Sequence, residues 1–331
     1  MADPREQRPG LSGFDRARIQ QRFGRAAGTY AERARLQAEV ADRLIERLDG
    51  LRFQPKTVLD LGAGPGRQAR MLADRFGDAD VVAMDLALPM LERARREAGW
   101  RGRRFARVAG DAHALPLADA SVDLLYSNLM LQWCDDLPAV LNGLRRVLRP
   151  GGLLLISTFG PDTLGELREA WAAVDEAEHV HRFTDVQTVG DALVRAGFME
   201  PVLDTDWLTT TYPSPRDLLE ELRSIGANHV VHRNVQQSAH GTAAGSPPDG
   251  RAAEASVAHA ARTGLTPPSR LKAMLAAYED RRRDDGLYPA TWEVVYASAW
   301  APEPGTPIRS IHGEEASVPV TSIGRRRRPS D

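Results

Sequence analysis

The stretch Val58-Leu59-Asp60-Leu61-Gly62-Ala63-Gly64-Pro65-Gly66 decides the fold of this chain. It joins a short apolar run, interrupted by one acid, to three glycines at every second position. An apolar run bounded by glycines predicts a buried parallel strand that enters a tight turn. Because glycine lacks a β-carbon, the backbone of such a turn can approach a ligand closely. The stretch therefore predicts a nucleotide-type binding site; the alternative is a strand-to-helix corner without a ligand.

The spacing of the glycines narrows the kind of ligand. Dinucleotide folds use G-x-G-x-x-G and phosphate-binding loops use G-x-x-x-x-G-K-[ST], whereas this turn reads G-x-G-x-G. A pyrophosphate is therefore the poorer choice of ligand. The carboxylate of Asp60, just before the turn, suits a cationic or amino-bearing ligand better than a phosphate.

The composition is that of a globular protein with room for one large domain or two small ones: 331 residues, of which 42% are apolar and 27% charged. A net charge of -2 gives no general drive toward nucleic acid or a membrane surface, and the four arginines at 325–328 are interpreted as a solvated tail. A single cysteine, Cys134, excludes an intramolecular disulfide and a cysteine-based zinc cluster. A reducing, cytoplasmic compartment is expected.

Apolar periodicity and turn signals predict strands and helices that alternate along the chain. The predicted strands are Thr57 to Leu61, Asp80 to Asp85, Arg104 to Ala109, Ser121 to Asn128, Leu153 to Ser157, Phe198 to Leu208 and Thr291 to Trp300. Two helices are predicted before the first strand, and the others are Gln68 to Phe76, Pro89 to Ala98, Leu137 to Leu148, Thr163 to Val174, Asp185 to Ala196, Pro215 to Ile225 and Arg270 to Arg283. A helix stop and turn are expected at residues 149–152. This alternation predicts an α/β protein with a parallel sheet, whose ligands bind at the carboxyl ends of the strands.

Polar side chains stand at those strand ends. Asp85 follows Gly62 by 23 positions, close to the roughly 20 expected for an acid that accepts hydrogen bonds from ribose hydroxyls. Asp111 could accept from an adenine amino group, and Asn128 ends the fourth strand. A helix-capping role for Asp85 and a turn role for Asp111 are the alternatives. The agreement of several strand ends favours the ligand site.

The predicted domain organisation has six parts. They are a disordered N-terminus (1–16), a helical lid (17–50), a ligand-binding core with substrate-side insertions (51–235), a mobile low-complexity loop (236–269), a C-terminal helix and last strand of the core (270–300), and a disordered basic tail (301–331).

The motifs between residues 58 and 159 resemble the class I methyltransferases that use S-adenosyl-L-methionine (AdoMet). More specific motifs flank this core, namely Phe23-Gly24-Arg25-Ala26-Ala27, Tyr30, Leu36-Gln37, Ser127-Asn128-Leu129, Gln132-Trp133-Cys134, Ala170 to Asp175, His181-Arg182-Phe183 and Ile225 to His229. Together they are similar to the malonyl-[acyl-carrier protein] O-methyltransferases of biotin synthesis. The resemblance implies a Rossmann-like class I methyltransferase fold with a seven-stranded, mostly parallel sheet, helices on both faces and a helical lid. Malonyl-acyl-carrier protein, or malonyl-CoA, is the implied substrate, and a monomer is expected.

The resemblance also implies roles for individual residues. The backbone of Gly62, Gly64 and Gly66 would pass under the methionine part of AdoMet, and Asp60 would attract its amino group. Asp85 would hold the ribose. The remaining implied cofactor contacts, around the adenine and at the fourth strand end, are Leu86, Ala112, Asp111 and Asn128.

Two residues are candidates for the chemical step. Tyr30 would lie near the transferred methyl group, with a role as a core anchor as its alternative. Arg182 is the candidate clamp for the acceptor carboxylate, because its planar guanidinium matches two oxygens; an ion pair with Asp185 is its alternative. Basic residues after the core are candidates for carrier-protein docking, namely Arg216, Arg223 and Arg281 to Arg283.

Other interpretations stay open at this point. The assembly factors of respiratory complex I share many flanking features, and a non-catalytic interaction module with this fold is the third possibility. No metal site is expected, because His179 and His181 lack further nearby ligands. Cys134 is interpreted as a small buried apolar group and not as a nucleophile.

Overall fold

The computed structural model describes residues 16–99, 104–227 and 266–305, together with the backbone of 308–310 and 313–315. The predicted N-terminal segment up to residue 15, most of the predicted loop at 236–269 and most of the predicted tail lie outside the described residues, as do Asn228 and His229. No described helix is long and apolar enough to cross a membrane.

The secondary structure follows the alternation predicted from the sequence. The strands are β1 (Thr57–Leu61), β2 (Asp80–Asp85), β3 (Ala106–Ala109), β4 (Val122–Asn128), β5 (Leu148–Phe159), β6 (Met199–Tyr212), β7 (Tyr288–Trp300), β8 (Ile308–Ser310) and β9 (Gly313–Glu315). The helices are α1 (Arg16–Ala26), α2 (Tyr30–Arg33), α3 (Arg35–Glu46), α4 (Arg67–Arg75), α5 (Leu88–Glu97), α6 (Leu137–Val147), α7 (Gly165–Ala172), α8 (Val186–Arg195), α9 (Pro215–Ser224) and α10 (Pro268–Tyr278), with 3-10 turns at Leu131–Trp133 and Glu279–Arg281.

Seven strands form one sheet in the order β3-β2-β1-β4-β5-β7-β6. Strands β1 to β5 pair in parallel, and β7 is antiparallel to both β5 and β6. The chain moves outward from β1 to β3 and then returns to place β4 on the other side of β1. This reversal leaves a crevice between the carboxyl ends of β1 and β4, which is where open α/β sheets bind their ligands.

Two apolar layers hold the helices on the sheet. Leu36, Val40 and Leu44 of α3 recur at helical spacing, are buried, and pack on the same face as Val58 of β1. The opposite face of β1, which carries Leu59, packs with α6 and α8. Each such apolar side chain contributes about 1.5–3 kcal/mol when it is fully buried. The central strands are therefore nearly continuous apolar runs, since both of their faces are covered.

Two details differ from the sequence-based prediction. Three helices precede β1 instead of two, because the segment after Gly28 forms the single turn α2. The predicted turn at residues 149–152 is part of β5, which starts at Leu148 and pairs with Val122 before its register shifts. Gly151 takes a φ of 71° there, so the Pro-Gly-Gly segment bends the strand and does not end it.

Helix α3 belongs to the packed layer, whereas α1 and α2 lie over the carboxyl ends of the strands, which form the ligand edge of the sheet. The hydroxyl of Tyr126 in β4 donates to the carbonyl of Ala41 at 3.2 Å, which fixes α3 on the sheet. The ring of Phe23 in α1 packs edge-on against Trp133 at 5.3 Å, in the loop after β4. The predicted lid segment therefore contains one core helix and two helices over the strand ends.

Candidate active site

The first and third glycines of the turn stand where a side chain would not fit. Gly62 and Gly66 have φ values of 78° and 87°, a region that L-residues rarely adopt. A β-carbon on Gly62 would lie 2.5 Å from Cγ of Met130, and one on Gly66 would lie 2.8 Å from Cβ of Ala94 in α5. The amide nitrogens of Gly62 and Ala63 donate to the carbonyl of Met84 at 2.8 and 3.0 Å, which ties the turn to the end of β2.

Two adjoining cavities open at the carboxyl ends of the strands. The β1 cavity is lined by Tyr30, Ala31, Ala34, Gln37, Ala38, Asp60, Gly62, Ala63, Gly64, Pro65, Arg67, Gln68 and Asn128. The β2 cavity is lined by Arg16, Ile19, Phe23, Tyr30, Leu61, Gly62, Gly64, Asp85, Leu86, Met90, Gly110, Asp111, Ala112, His113, Asn128, Leu129, Met130, Trp133 and Cys134. The structure thus brings together every predicted cofactor-contacting residue except Gly66, which ends the turn and caps α4.

Asp60 supplies a buried carboxylate to the β1 cavity. Asp60 is 1% exposed, and its Oδ2 has no hydrogen-bond partner in the part of the chain that the structure describes. Burial, together with the nearby charge of Asp85, raises the pKa of Asp60 to about 8. A buried carboxyl group in this state gains most from a cationic hydrogen-bond donor, such as an ammonium group.

Asp85 ends β2 and lines the β2 cavity. Its Oδ2 accepts from the amide of Gly64 at 2.8 Å, and its Oδ1 accepts from the amide of Ala87 at 2.7 Å. Withdrawal from solvent raises the pKa of Asp85, and the two amide donors oppose that effect. Each carboxylate oxygen carries two lone pairs, so one acceptor site per oxygen stays open to ligand hydroxyls. The capping and the ligand-binding roles of Asp85 are compatible.

Asp111 lies at the far end of the β2 cavity in a charged cluster. Burial would raise the pKa of Asp111, but hydrogen bonds from the backbone and ring of His113 and the charge of Arg16 lower it. Arg16 Nη1 donates to Asp111 Oδ2 at 3.0 Å, and the two ring nitrogens of His113 lie 3.0 Å from Asp111 and 2.8 Å from Asp135. The amide of Ala114 also donates to the Asp111 carbonyl, so the predicted turn role is present in this structure. An adenine contact of Asp111 stays a prediction.

Tyr30 stands at the junction of the two cavities and lines both of them. Its ring lies close to Gly64, since a β-carbon built there would be 3.9 Å from Cε1 of Tyr30. Burial and the charge of Asp85 raise the pKa of the Tyr30 phenol, so its hydroxyl is neutral at physiological pH. The ring of Phe23 lies 6.5 Å away.

Asn128 also lines both cavities, but its amide group is already engaged. Its Nδ2 donates to the carbonyl of Gln37 in α3 at 3.0 Å, and its Oδ1 accepts from Ser157 Oγ at 2.8 Å. Asn128 therefore links β4, β5 and α3 at the cavity wall. A direct cofactor contact from Asn128 stays a prediction.

Arg182 is exposed and is not among the residues that line the two cavities. Its neighbour Phe183 packs against Phe159 with a ring-centroid distance of 5.4 Å, which holds this segment over the carboxyl end of β5. Asp185, the alternative partner of Arg182, accepts from the amide and hydroxyl of Thr188 and caps α8. The clamp role of Arg182 stays a prediction.

The two histidines after α7 pack against aromatic rings, and the single cysteine is largely withdrawn from solvent. The ring of His179 stacks on Trp171 at 3.8 Å, and its Nε2 lies 2.8 Å from Asp175. The ring of His181 packs edge-on against Phe183. Burial raises the pKa of the Cys134 thiol to about 12, so the group is not a thiolate at neutral pH.

Some cavity residues were not singled out from the sequence. Arg16 and His113 come from segments 97 positions apart, and nothing local signals that both contact Asp111. Met130 lies against Gly62 and directly follows Leu129, whose backbone takes a positive φ of 48°. Arg67 carries the one local signal, since it directly follows the third glycine and begins α4.

The residues present fit AdoMet. A buried carboxylate with an unpartnered oxygen suits the α-ammonium group, and the close approach of the glycine turn suits the chain that follows it. Asp85 lies at a strand end next to Leu86, within the wall that also contains Ala112. Asp60 would hold the ammonium, Asp85 the ribose, and Leu86 with Ala112 the adenine.

Comparison with known proteins bears on the fold and the cofactor. A family described as "Methyltransferase domain" matches residues 59–156, which supports AdoMet as the cofactor. The YcgJ protein from Bacillus subtilis, a solved structure, has a TM-score of 0.53 at 14% identity, over 80% of this chain and 99% of that chain. This likeness concerns the fold alone. Together with the methyltransferase-domain match and the seven-stranded sheet, it confirms the predicted class I methyltransferase architecture.

Close sequence relatives cover nearly the whole chain. The malonyl-[acyl-carrier protein] O-methyltransferase of Xylella fastidiosa (strain M23) is 44% identical over 96% of this chain and 98% of its own length. The protein of that name from Halorhodospira halophila is 44% identical over 95% of this chain and 97% of its own length. These matches confirm the resemblance inferred from the flanking motifs. The chain belongs to the malonyl-[acyl-carrier protein] O-methyltransferase family.

Proposed function

We propose that this enzyme transfers the methyl group of AdoMet to the free carboxylate of a malonyl thioester on acyl-carrier protein. The product is the malonyl methyl ester that starts the pimeloyl chain of biotin. The observation that carries this proposal is the 44% identity, over 96% of the chain, to a relative named for that acceptor. Malonyl-CoA is the second acceptor of the same chemistry.

Complementary charge favours binding of the methyl donor, AdoMet, in this site. When bound, AdoMet supplies an electrophilic methyl group on a sulfonium. Asp60 and Asp85 place two carboxyl groups under and beside the glycine turn, which favours a cationic ligand in this crevice. Tyr30, at the junction of the cavities, covers the position between the amino-acid end and the adenosine end of the site.

The acceptor side needs no general base. An aliphatic carboxyl group has a pKa of about 4 and is therefore ionised at neutral pH. The neutral phenol of Tyr30 can donate a hydrogen bond or exclude water, but it does not accept a proton. His113 lines the far end of the β2 cavity, with both ring nitrogens at carboxylate oxygens. Positioning of the two reactants in a site without water then supplies the catalysis, which can contribute several kcal/mol.

This mechanism gives an expected pH profile. With AdoMet and acceptor saturating, kcat should be nearly flat from about pH 6.5 to 8.5, because the nucleophile is fully ionised throughout. Replacement of His179 or His181 should cause only modest losses, whereas Tyr30→Ala should cause a large one. A kcat that titrates with one group near neutrality and collapses with one histidine would indicate base catalysis on a hydroxyl or amine acceptor.

Arg182 is the proposed clamp for the malonyl carboxylate. Its segment is held over the end of β5 by the Phe183–Phe159 contact, and its guanidinium is exposed toward solvent. Arg182→Lys should raise the KM for the malonyl substrate and leave AdoMet affinity unchanged, because lysine cannot form the two-pronged contact. Arg195→Lys, on an exposed turn of α8, is the matched control. If Arg182→Lys leaves the acceptor KM unchanged, another arginine holds the carboxylate.

Labelled AdoMet tests the function directly. The enzyme is incubated with malonyl-acyl-carrier protein, acetyl-acyl-carrier protein or malonyl-CoA, and label in the thioester product is measured. Transfer to the malonyl forms alone is expected, because the acetyl form lacks the carboxylate. Transfer to a partner-protein side chain instead would favour the assembly-factor function, and AdoMet binding without any transfer would favour an interaction module. A monomeric state and a cytoplasmic location are part of this proposal, to be tested by light scattering and by cell fractionation.

A further inference from the structure

The β1 cavity contains two buried polar atoms that lack partners. Of the buried side-chain nitrogen and oxygen atoms without a hydrogen-bond partner in the described residues, Asp60 Oδ2 and Arg67 Nη1 belong to residues of this one cavity. One is an acceptor on a carboxyl group and the other is a donor on a guanidinium. A buried polar atom that is left without a hydrogen-bond partner costs roughly 1–3 kcal/mol. Both atoms therefore gain from a ligand with the opposite polarity.

The orientation of Arg67 is set by its other nitrogen. Nη2 donates to both carboxylate oxygens of Asp42 in α3, at 2.8 and 2.9 Å. This pair fixes the guanidinium plane and leaves Nη1 as the buried edge. Arg67 is also the first residue of α4, at the positive end of that helix dipole, and α4 is nine residues long. The environment of Nη1 thus favours an anion.

We propose that Arg67 binds the carboxylate of the methionine part of AdoMet, while Asp60 binds its ammonium group. The two side chains would then bind both charged groups of the α-amino-acid part, with a donor on Arg67 for the carboxylate and an acceptor on Asp60 for the ammonium. Arg67 is a cofactor-specificity residue in this assignment. The inference rests on the proposed function only in taking AdoMet as the ligand, and not in the choice of methyl acceptor.

A purely structural role for Arg67 makes a different prediction. If the Arg67–Asp42 pair only ties α4 to α3, its loss would weaken every ligand of the crevice equally. A carboxylate contact would affect only ligands that carry the carboxylate. Decarboxylated AdoMet keeps the adenosine, the sulfonium and the amine and lacks the carboxylate, so it separates the two roles.

The experiment is calorimetric binding of AdoMet and of decarboxylated AdoMet to four proteins, namely the parent, Arg67→Met, Asp42→Asn and Arg70→Met. Arg70 lies on the same helix and pairs with Glu97 away from the cavity, so it is the matched control. The parent should prefer AdoMet by about 10- to 150-fold, since a hydrogen bond to a charged group contributes about 1.5–3 kcal/mol. Arg67→Met should lose that preference and keep its affinity for decarboxylated AdoMet. Asp42→Asn should retain most of the preference, and Arg70→Met all of it.

Equal weakening of both ligands by Arg67→Met, or a preference that Arg67→Met leaves intact, overturns the assignment. Retained affinity for decarboxylated AdoMet also shows that the variant is folded at the site. The assay contains no methyl acceptor. A failure of methyl transfer to malonyl-acyl-carrier protein would therefore leave this result unaffected, and the two proposals can fail separately.

Discussion

At the level of single residues, the stability of the fold favours the protonated form of Asp60, whereas binding of a cation favours the ionised form. Its carboxyl group is buried beneath the glycine turn, and its pKa is raised from 3.8 to about 8. In the unfolded chain the group ionises freely near its ordinary pKa. The carboxyl group therefore favours the folded state most below about pH 4, and this contribution is lost as the pH rises through 8. A bound cation stabilises the ionised form of Asp60, so in the complex the ionised carboxylate is the favoured form.

The first expectation is that Asp60→Asn stabilises the ligand-free enzyme at neutral and alkaline pH. Asparagine resembles the protonated carboxyl group in shape and does not ionise, so the gain should grow from about pH 4 to pH 8. Each kcal/mol raises Tm by about 1.5–2 °C in a chain of 331 residues, because the entropy of unfolding is about 2.1 cal/mol/K per residue. Thermal melts of both proteins at pH 5, 7 and 9 measure the gap. A gap in Tm that stays constant with pH would contradict a raised pKa.

The second expectation concerns the affinity for AdoMet. Its ammonium group needs the ionised form of Asp60, so below about pH 8 binding must release a proton. The affinity should rise by up to about tenfold per pH unit between pH 6 and 8 and then level off. Calorimetry in buffers of different ionisation enthalpy counts the released protons. Asp60→Asn should bind weakly at every pH, and a parent affinity independent of pH would remove Asp60 from the ammonium site.

The third expectation concerns Asp85. Ribose hydroxyls that donate to a carboxylate contribute about 1.5–3 kcal/mol, so Asp85→Ala should weaken AdoMet binding by roughly 10- to 150-fold. The variant also loses the acceptors of the Gly64 and Ala87 amides, which makes this range a lower bound. Calorimetry on the folded variant gives the value, and an unchanged affinity would place the ribose elsewhere.

At the level of elements, α1 is held over the cavities at two places. Near its start, Arg16 pairs with Asp111 of the β2 cavity wall. Near its end, the backbone of Arg22 and Phe23 rests on Gly226, just after α9. The hydroxyl of Thr29 also donates to the carbonyl of Ser224 at 3.2 Å. The position of this helix over the donor site therefore depends on α9 as well as on the cavity wall.

The fourth expectation is that Gly226→Ala weakens AdoMet binding without unfolding the core. A β-carbon there would lie 3.3 Å from backbone atoms of Arg22 and Phe23, so α1 must shift. Gly197→Ala is the matched control, because Gly197 has nearly the same φ, 79° against 78°, and a β-carbon on it would meet nothing within 4 Å. Both variants should lose about 1–2 kcal/mol to backbone strain. Only Gly226→Ala should raise the Kd for AdoMet; equal Kd values for the two variants would show that α1 does not depend on this contact.

At the level of the whole molecule, ion pairs and a cation–π contact reduce the set of arginines available for carrier docking. Arg281 pairs with Glu169, Arg283 pairs with Asp285, and the guanidinium of Arg282 lies over the ring of Tyr288. Arg216 and Arg223 are exposed on α9. Since α9 lies beside α2 at the ligand edge of the sheet, these two arginines become the preferred candidates for an acidic partner.

The fifth expectation is that Arg216→Glu and Arg223→Glu raise the KM for malonyl-acyl-carrier protein and leave the KM for a free malonyl thioester unchanged. Rates with the carrier substrate should also fall between low and physiological salt, because screening weakens exposed charge contacts. Arg195→Glu, on α8 across the sheet, is the matched control. A carrier-dependent rate that is insensitive to salt would argue against electrostatic docking.

The local sequence determined much of this protein. The bounds of β1 and β2, the glycine turn and the acids at the strand ends all follow from short apolar runs, glycine spacing and strand alternation. These features are set within a few residues of one another, so periodicity and turn chemistry are enough to predict them. The family resemblance likewise came from short motifs, and the nearly full-length relatives confirm it.

Only the tertiary structure decided which side chains meet across the chain. The pairing of Arg67 with Asp42, the contact of Arg16 with Asp111 and the position of Tyr30 between two cavities join segments that are 25 or more residues apart. Charged residues are abundant throughout the sequence, so composition cannot say which opposite charges come together. That choice depends on how α1, α3 and α4 pack around the sheet, because a side chain's partners and its burial exist only once the layers are assembled.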